Sequence, residues 1–369
     1  MTKGLDLSLE DVAGALAVID PNDRETWIQM GMAIKSEFGE AGFSEWDDWS
    51  SQSDKYKAKE AKTVWKSFRR GGVSIGTLIN EARRNGYEFK TGELTKEEKR
   101  QRKKEAEIRR KQRAEEIERD EQALLSWNER VTETVNQLIW NCHLAASGTS
   151  PYLQTKKVRS FGVYFVPRAF LWVTHIEKET IEIITDRDEI NKFFEQNKRG
   201  EISIDQVSFR YLKRGTIAIP MRDTTGELVN VQFIFATGKK TFPKFGRKHG
   251  LFHICEKDDS AASKQRPAMA GHLIATDSSV ICFAEGYATA ASILQATGLP
   301  VVITFDAGNM PTVAAAFRGV YPDSNMIFCG DDDQENQKNA GRKKAEAAAK
   351  QVNGVTVFPN FSSTQETAE

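Results

Sequence analysis

Three short segments of the 369-residue chain carry carboxylates: Ala284-Glu285-Gly286, Phe305-Asp306-Ala307-Gly308-Asn309 and Gly330-Asp331-Asp332-Asp333. Each follows a run, VICFA, VVITF or MIFCG, of the length and apolar content of a buried strand. In an open parallel sheet, ligands bind outside the carboxyl ends of the strands, so these acids stand where chemistry is done. With the chain extended past Gly330, Asp331 and Asp333 face one way and Asp332 the other. A Glu and two Asp meeting at such an edge make an all-oxygen site suited to Mg²⁺ or Mn²⁺. Two such ions can activate a 3′-hydroxyl and stabilise a pyrophosphate leaving group in nucleotidyl transfer.

The elements that must position these acids alternate regularly. Between residues 272 and 361 the strands VICFA, VVITF, MIFCG and VTVF are separated by the helical segments TAASILQATG, Pro311 to Arg318 and GRKKAEAAAKQV, the first stopped by Gly298. Strands alternating with helices predict a parallel sheet with right-handed crossovers. Upstream, residues 148–270 change period: FGVYFV, LWVTHI, IEIIT, TIAIPM and LVNVQFIFA are β-branched and aromatic, and IAIPMRDTTGELVNVQFIF reads as a hairpin. The next segment, GKKTFPKFGRKHG, concentrates Lys239, Lys240, Lys244, Arg247, Lys248 and His249, and residues 256–270 read as a loop.

The first 90 residues read as a helical domain. Leu9 to Ile19 stops at Asp20-Pro21, Trp27, Met30, Ile34 and Phe38 share one helix face, and Ser74 is positioned to cap a last helix that ends near Gly86. Trp46, Trp49, Tyr56, Trp65 and Phe68 are dense enough to form a compact core, while Lys55, Lys57, Lys59, Lys62, Lys66, Arg69 and Arg70 among them leave room for nucleic-acid contact. From Leu94 to about Asp120 the chain is densely charged with mixed signs, and residues 91–123 predict a solvated helical linker. Leu124, Trp127, Val131, Val135, Leu138 and Cys142 then return at helical spacing.

Composition excludes several classes. No apolar run reaches the ~20 residues of a membrane-spanning helix, and the N-terminus lacks a basic-then-apolar leader. Four widely spaced cysteines without a CxxC exclude a disulfide scaffold and a zinc ribbon, and suit a reducing, cytoplasmic setting. The 52 basic residues balance the 52 acidic ones, so a polyanion site must come from local clustering.

The segments FAEGYATAASILQATGLPVVITFDAGNM and CGDDDQENQKNAGRKKA resemble a Toprim domain, the catalytic fold shared by bacterial-type primases, topoisomerases and some nucleases. The resemblance is to the Toprim primases of plasmids and phages. It extends upstream through PMRDTTGELVNVQFI and GKKTFPKFGRKHGLF. Residues 9–89 resemble the small helical domain attached to mobile-element primases, through WIQMGMAIKSEFG and FSEWDDWS. The implied organisation is an α/β protein. A helical primase-associated domain (1–90) and the charged linker (91–123) lead to a mixed α/β subdomain (124–270), a Toprim catalytic domain with a Rossmann-like parallel sheet (271–361) and a tail (362–369).

The resemblance implies a DNA primase that makes short primers on a single-stranded DNA template from NTPs in phage or plasmid replication. Glu285 would be metal ligand or general acid/base, Asp331 and Asp333 the metal pair, and Asp306 and Asn309 would contact metal or phosphate. Asn339, Gly341 and Arg342 would meet a phosphate at a helix start. Lys239, Lys240, Lys244, Arg247 and Lys248 would hold template backbone or triphosphate. The chain departs from replicative primases in lacking a cysteine cluster for zinc, and Cys142-His143 is only an isolated pair. It also lacks a GxxxxGK[ST] loop, so a helicase would be a separate partner. A Toprim nuclease and a non-catalytic DNA-binding factor remain the alternatives.

Overall fold

A computed structural model describes residues 6–68, 73–89, 95–203, 205–257, 279–330 and 340–359. Arg69, Arg70, most of the expected 256–270 loop, Asp331, Asp332, Asp333 and Asn339 lie outside the described residues. The chain divides into two compact units, Met1–Ala123 and Leu124–Glu369.

In the first unit, local signals set the helix starts. Ser8 and Asp11 form a capping box before the helix Leu9–Leu16, and Asp23 accepts from the Thr26 amide at 2.8 Å ahead of the helix Arg24–Phe38. Ser74 stands at the N-cap of Ile75–Arg84, yet its side chain makes no capping hydrogen bond, contrary to the expectation from sequence. The helices Phe43–Ser50 and Ala58–Ser67 bring Trp46, Trp49 and Trp65 into one buried cluster. Each indole N–H has an acceptor: Trp46 donates to the Trp27 carbonyl, Trp49 to the Ile19 carbonyl and Trp65 to Glu40. The aromatic density is therefore spent on a core.

The charged stretch enters a helix running from Lys96 to Trp140. Its residues before 124 are not uniformly solvated. Ala106 is buried, Arg102 reaches Asp11 at 2.7 Å, Arg109 reaches Glu37 at 3.2 Å, and Arg110 reaches Asp6 at 3.3 Å. The Arg109 guanidinium also lies 4.3 Å from the centre of the Phe38 ring. Arginines at helical spacing thus dock this face on the helical domain, which composition alone does not reveal.

Among the described residues, the second unit holds three sheets. A three-stranded antiparallel sheet combines β2 (Phe170–His175), β3 (Thr180–Ile184) and β4 (Val207–Leu212) in the order β3-β2-β4. The helix Arg187–Lys198 packs on it through Ile190 and Phe193. A four-stranded sheet orders β1 (Tyr164–Phe165), β5 (Ile217–Arg222), β6 (Leu228–Ile234) and β7 (Lys240–Thr241) as β1-β5-β6-β7. Its β5–β6 pair is the predicted hairpin. Val131, Val135 and Leu138 of the Lys96–Trp140 helix pack into the core with Tyr164, Trp172 and Phe233. The helical stripe stops short of Cys142, which is exposed beyond the helix end at φ 58°.

The last sheet leads to Glu285 and Asp306. It comprises β8 (His253–Cys255), β9 (Val280–Ala284), β10 (Val301–Ile303), β11 (Asn325–Cys329) and β12 (Val355–Val357), ordered β12-β11-β9-β10-β8. The β9, β10, β11 and β12 neighbours pair in parallel, as the alternation predicts, while β8 pairs antiparallel with β10. This sheet therefore crosses the expected boundary at residue 270, because its edge strand comes from the mixed α/β segment. The helices Tyr287–Thr297 and Met310–Val320 connect its strands, and Gly298 ends the first in the left-handed conformation at φ 73°.

Candidate active site

Register fixes the edge. Ala284 pairs with Ile303 on one side and Cys329 on the other, and Cys329 pairs with Val357. Glu285, Thr304 and Gly330 consequently leave the sheet at one level. The Thr304 amide still reaches the Ala284 carbonyl at 3.0 Å, and the Gly330 amide reaches the Val357 carbonyl at 3.1 Å. Gly330 has no space for a side chain, since a Cβ there would stand 2.6 Å from Phe358 and 3.1 Å from Ala345. The Gly330–Val357 hydrogen bond holds this end of β11 beside β12. Arg342 lies over the same Phe358 ring at 4.3 Å and sits 3.2 Å from Glu346, so its guanidinium and Gly330 share Phe358 as a neighbour.

The end of β10 is strained. Phe305 adopts φ 67°, a region that bulky side chains rarely enter, and its ring meets Phe242 edge-on at 6.4 Å. Asp306 Oδ1 accepts from the Asn309 amide at 2.9 Å, closing the turn that starts the helix Met310–Val320. Asn309 itself is buried. Its Oδ1 accepts from the Gly250 amide at 2.8 Å, and its Nδ2 donates to the carbonyls of Leu251 and Thr304, each at 2.9 Å. The sequence suggests a residue that touches metal or phosphate; the structure turns both amide donors inward.

The basic segment is pinned rather than loose. Lys240 pairs with Ile234 in the sheet, and a Cβ at Gly286 would stand 3.0 Å from Lys240 Nζ, so this ammonium faces the Glu285-Gly286 turn. Lys248 Nζ lies 5.0 Å from the Phe242 ring centre, and Lys244 Nζ lies 5.1 Å from that of Phe245. Phe245, at φ 65°, stacks on Trp127 at 4.8 Å. Burial pushes the Lys244 ammonium below its usual pKa, and nearby Arg210 adds to this against Asp205. The Arg247 charge is partly spent on Asp223 at 3.3 Å. Burial raises the Asp223 carboxyl, but hydrogen bonds from Thr225 and the Glu227 amide, with Arg247, outweigh it and leave the pKa low. Lys239 is exposed at the turn into β7.

The structure thus brings Glu285, Asp306, Asn309, Lys240 and Lys248 to one edge and sets Lys244 beside Arg210. Sequence reading missed Asn230 and Tyr287. Asn230 is fully buried and donates to the Arg247 carbonyl at 2.8 Å, and its one signal is a polar side chain inside the apolar strand LVNVQFI. Among the described residues, no three His, Cys, Asp or Glu side chains form a metal-holding group, and no helix is long and apolar enough to cross a membrane.

Residues 280–364 match the family model for the Toprim domain, and residues 12–82 match that for Primase C terminal 2. Over 147 residues the chain is 38% identical to a DNA primase TraC of Escherichia coli, covering 39% of this chain and 12% of that protein. A second E. coli DNA primase TraC is 37% identical over 153 residues, covering 40% and 10%. The matched stretch therefore spans about a tenth of the length of these relatives. Among solved structures, the DnaG catalytic core matches at a TM-score of 0.34 with 14% identity, over 57% of this chain and 64% of that one. The DnaG primase catalytic domain bound to ssDNA matches at 0.32 with 15% identity, over 57% and 66%.

Proposed function

We propose that this chain, which carries a Toprim domain and a Primase C terminal 2 domain, is a DNA primase that joins NTPs on a single-stranded DNA template in plasmid or phage replication. The observation that carries the reading is the pairing of β9 with β11. Because Ala284 and Cys329 are register partners, Glu285 and Gly330 leave the sheet side by side, with Lys240 Nζ against the Glu285-Gly286 turn.

The donor chemistry fits a hard divalent cation. Glu285 and Asp306 supply carboxylate oxygens at this edge, and Asp331 and Asp333 follow directly on β11. Mg²⁺ or Mn²⁺ bound there would neutralise charge on the attacking 3′-oxygen and the departing pyrophosphate. Glu285, Asp331 and Asp333 would hold the ions, with Asp306 shaping the turn beside them. Lys240 and Lys248 would orient phosphate oxygens, their aromatic and backbone anchors limiting the entropy lost on binding. Arg342, in the first turn of the helix Ala340–Gln351, would add an anion contact, with Asn339 preceding that helix in sequence.

Labelled-NTP incorporation by the full chain on single-stranded DNA, with Mg²⁺ or Mn²⁺, tests this. Short metal-dependent oligonucleotides that disappear in Glu285→Gln support the primase. Nicking without any oligonucleotide product would make it a Toprim nuclease, and DNA binding with neither activity would make it a non-catalytic factor.

A further inference from the structure

We propose that Asn309 is a positioning residue that fixes the basic segment Lys239–His249 to the acid edge of the parallel sheet. The reaction it serves rests on the primase reading above; the coupling itself does not.

Asn309 sits at the far end of the β10 turn and reaches across 59 residues of sequence to Gly250. Its three side-chain hydrogen bonds go to three different backbone groups. Two belong to Gly250 and Leu251, immediately after His249, and the third is the Thr304 carbonyl at the sheet edge. A buried amide whose donors are both used on carbonyls has one orientation, because flipping it would set NH₂ against the Gly250 N–H and oxygen against two carbonyls. Asn309 is also tied back to the edge through its own amide, which donates to Asp306. The segment is fixed at its other points by Lys240 pairing with Ile234 and by Asn230 holding the Arg247 carbonyl. Strand β8, which begins at His253, holds the following chain on β10, and the contact of Phe242 with Phe305 adds a second link; Asn309 is the tie that joins Gly250 and Leu251 to the turn carrying Asp306.

This assigns to Asn309 a task distinct from phosphate contact: it sets the spacing between a cation and the carboxylates that must act on one phosphate. A displacement of the order of 1 Å at such a site is enough to cost about a hundredfold.

The test is a double-mutant cycle on the full chain, read by binding of fluorescein-labelled oligothymidylate and by the KM and kcat of primer synthesis. Asn309→Ala should weaken oligothymidylate binding by about tenfold, the scale of lost buried hydrogen bonds. Asn309→Asp, which keeps the shape and the acceptor for Gly250 but loses both donors, should lie between it and the wild type. Each variant is compared after a thermal melt at a temperature where it is folded. If Asn309 acts through Lys248, Asn309→Ala should cost little more in a Lys248→Ala background. Fully additive losses, or unchanged binding in folded Asn309→Asp and Asn309→Ala, would overturn the proposal. A wild-type chain that binds with this non-additive pattern yet makes no primer would refute the primase reading and leave the coupling standing.

Discussion

The Tyr287 hydroxyl joins both sides of one turn: it accepts from the Phe161 amide at 2.6 Å and donates to the Arg159 carbonyl at 2.9 Å. Tyr287 opens the helix that follows Glu285-Gly286, so the segment feeding β1 is fastened two residues from the candidate acid. Gln295, two turns along the same helix, adds a bond from the Arg159 amide at 2.7 Å. Tyr287→Phe keeps the ring and deletes only the hydroxyl. It should destabilise the second unit by about 1–3 kcal/mol, the cost of leaving buried backbone groups without a partner. Urea unfolding and faster hydrogen exchange at the Phe161 amide check this.

Neutralising the acids should separate activity from stability. If Glu285 and Asp333 share one metal site as proposed, Glu285→Gln and Asp333→Asn should lower primer synthesis by about a hundredfold or more while the melting temperature holds or rises, since carboxylates brought together without a cation repel one another. Asp332→Asn serves as the control and should be milder by strand alternation. Equal loss in Asp332→Asn would refute the alternation argument.

Charge reversal in the basic segment should not be uniform. Lys240 faces the Gly286 turn, whereas Arg247 is engaged by Asp223. Lys240→Glu should therefore weaken oligothymidylate binding and flatten its salt dependence more than Arg247→Glu does. Identical salt slopes for the two variants and the wild type would assign both residues to a solvated surface.

The hairpin turn carries a pH signature. Asp223 has a folded pKa below its unfolded value, so its contribution to stability is present above the ordinary aspartate range near ~3.9 and is lost as pH falls through the depressed folded value. An NMR titration should find the Asp223 carboxyl titrating below that range, and moving up toward it in Arg247→Ala. A carboxyl that titrates normally in the wild type would contradict the pairing.

Docking of the charged helix face predicts where proteases act. A bare spacer would be cut anywhere within 91–122. With Arg102, Arg109 and Arg110 bound to carboxylates of the helical domain, cleavage should begin outside that docked stretch. Arg109→Ala should open it, as should raised salt. Trypsin cutting first at Arg102 or Arg109 in the wild type would argue against docking.

The parallel sheet was legible because its strands are short apolar runs separated by helix-length segments, so VICFA and MIFCG declare themselves without reference to partners. Strand β4 was missed although VSFRYL alternates apolar and polar residues as a half-buried strand does; it follows a helix whose apolar positions Ile190 and Phe193 are sparse. The places of Glu285 and Asp306 at the ends of β9 and β10 were legible from the strand ends, while Asp331 and Asp333 lie outside the described residues. The anchors of the basic segment were not legible, because they depend on partners distant in sequence: Trp127 under Phe245, Asn309 at Gly250, Tyr287 at Phe161. A side chain such as Asn309 looks like a ligand in sequence and becomes a bracket only once its three partners are known.

Strand β8 has a consequence for dividing the molecule. It covers the open side of β10 through the pairs Val301–Cys255 and Ile303–His253. A fragment started at residue 271, or at residue 280 where the Toprim match begins, would strip that strand away and leave β10 with bare N–H and C=O groups. Exposed edges of this kind recruit other strands, so such a fragment should self-associate and precipitate where the intact unit stays dispersed. Keeping residues 250–257 attached would guard against aggregation, and an exchange between relatives that respects only the family boundary would produce sticky hybrids.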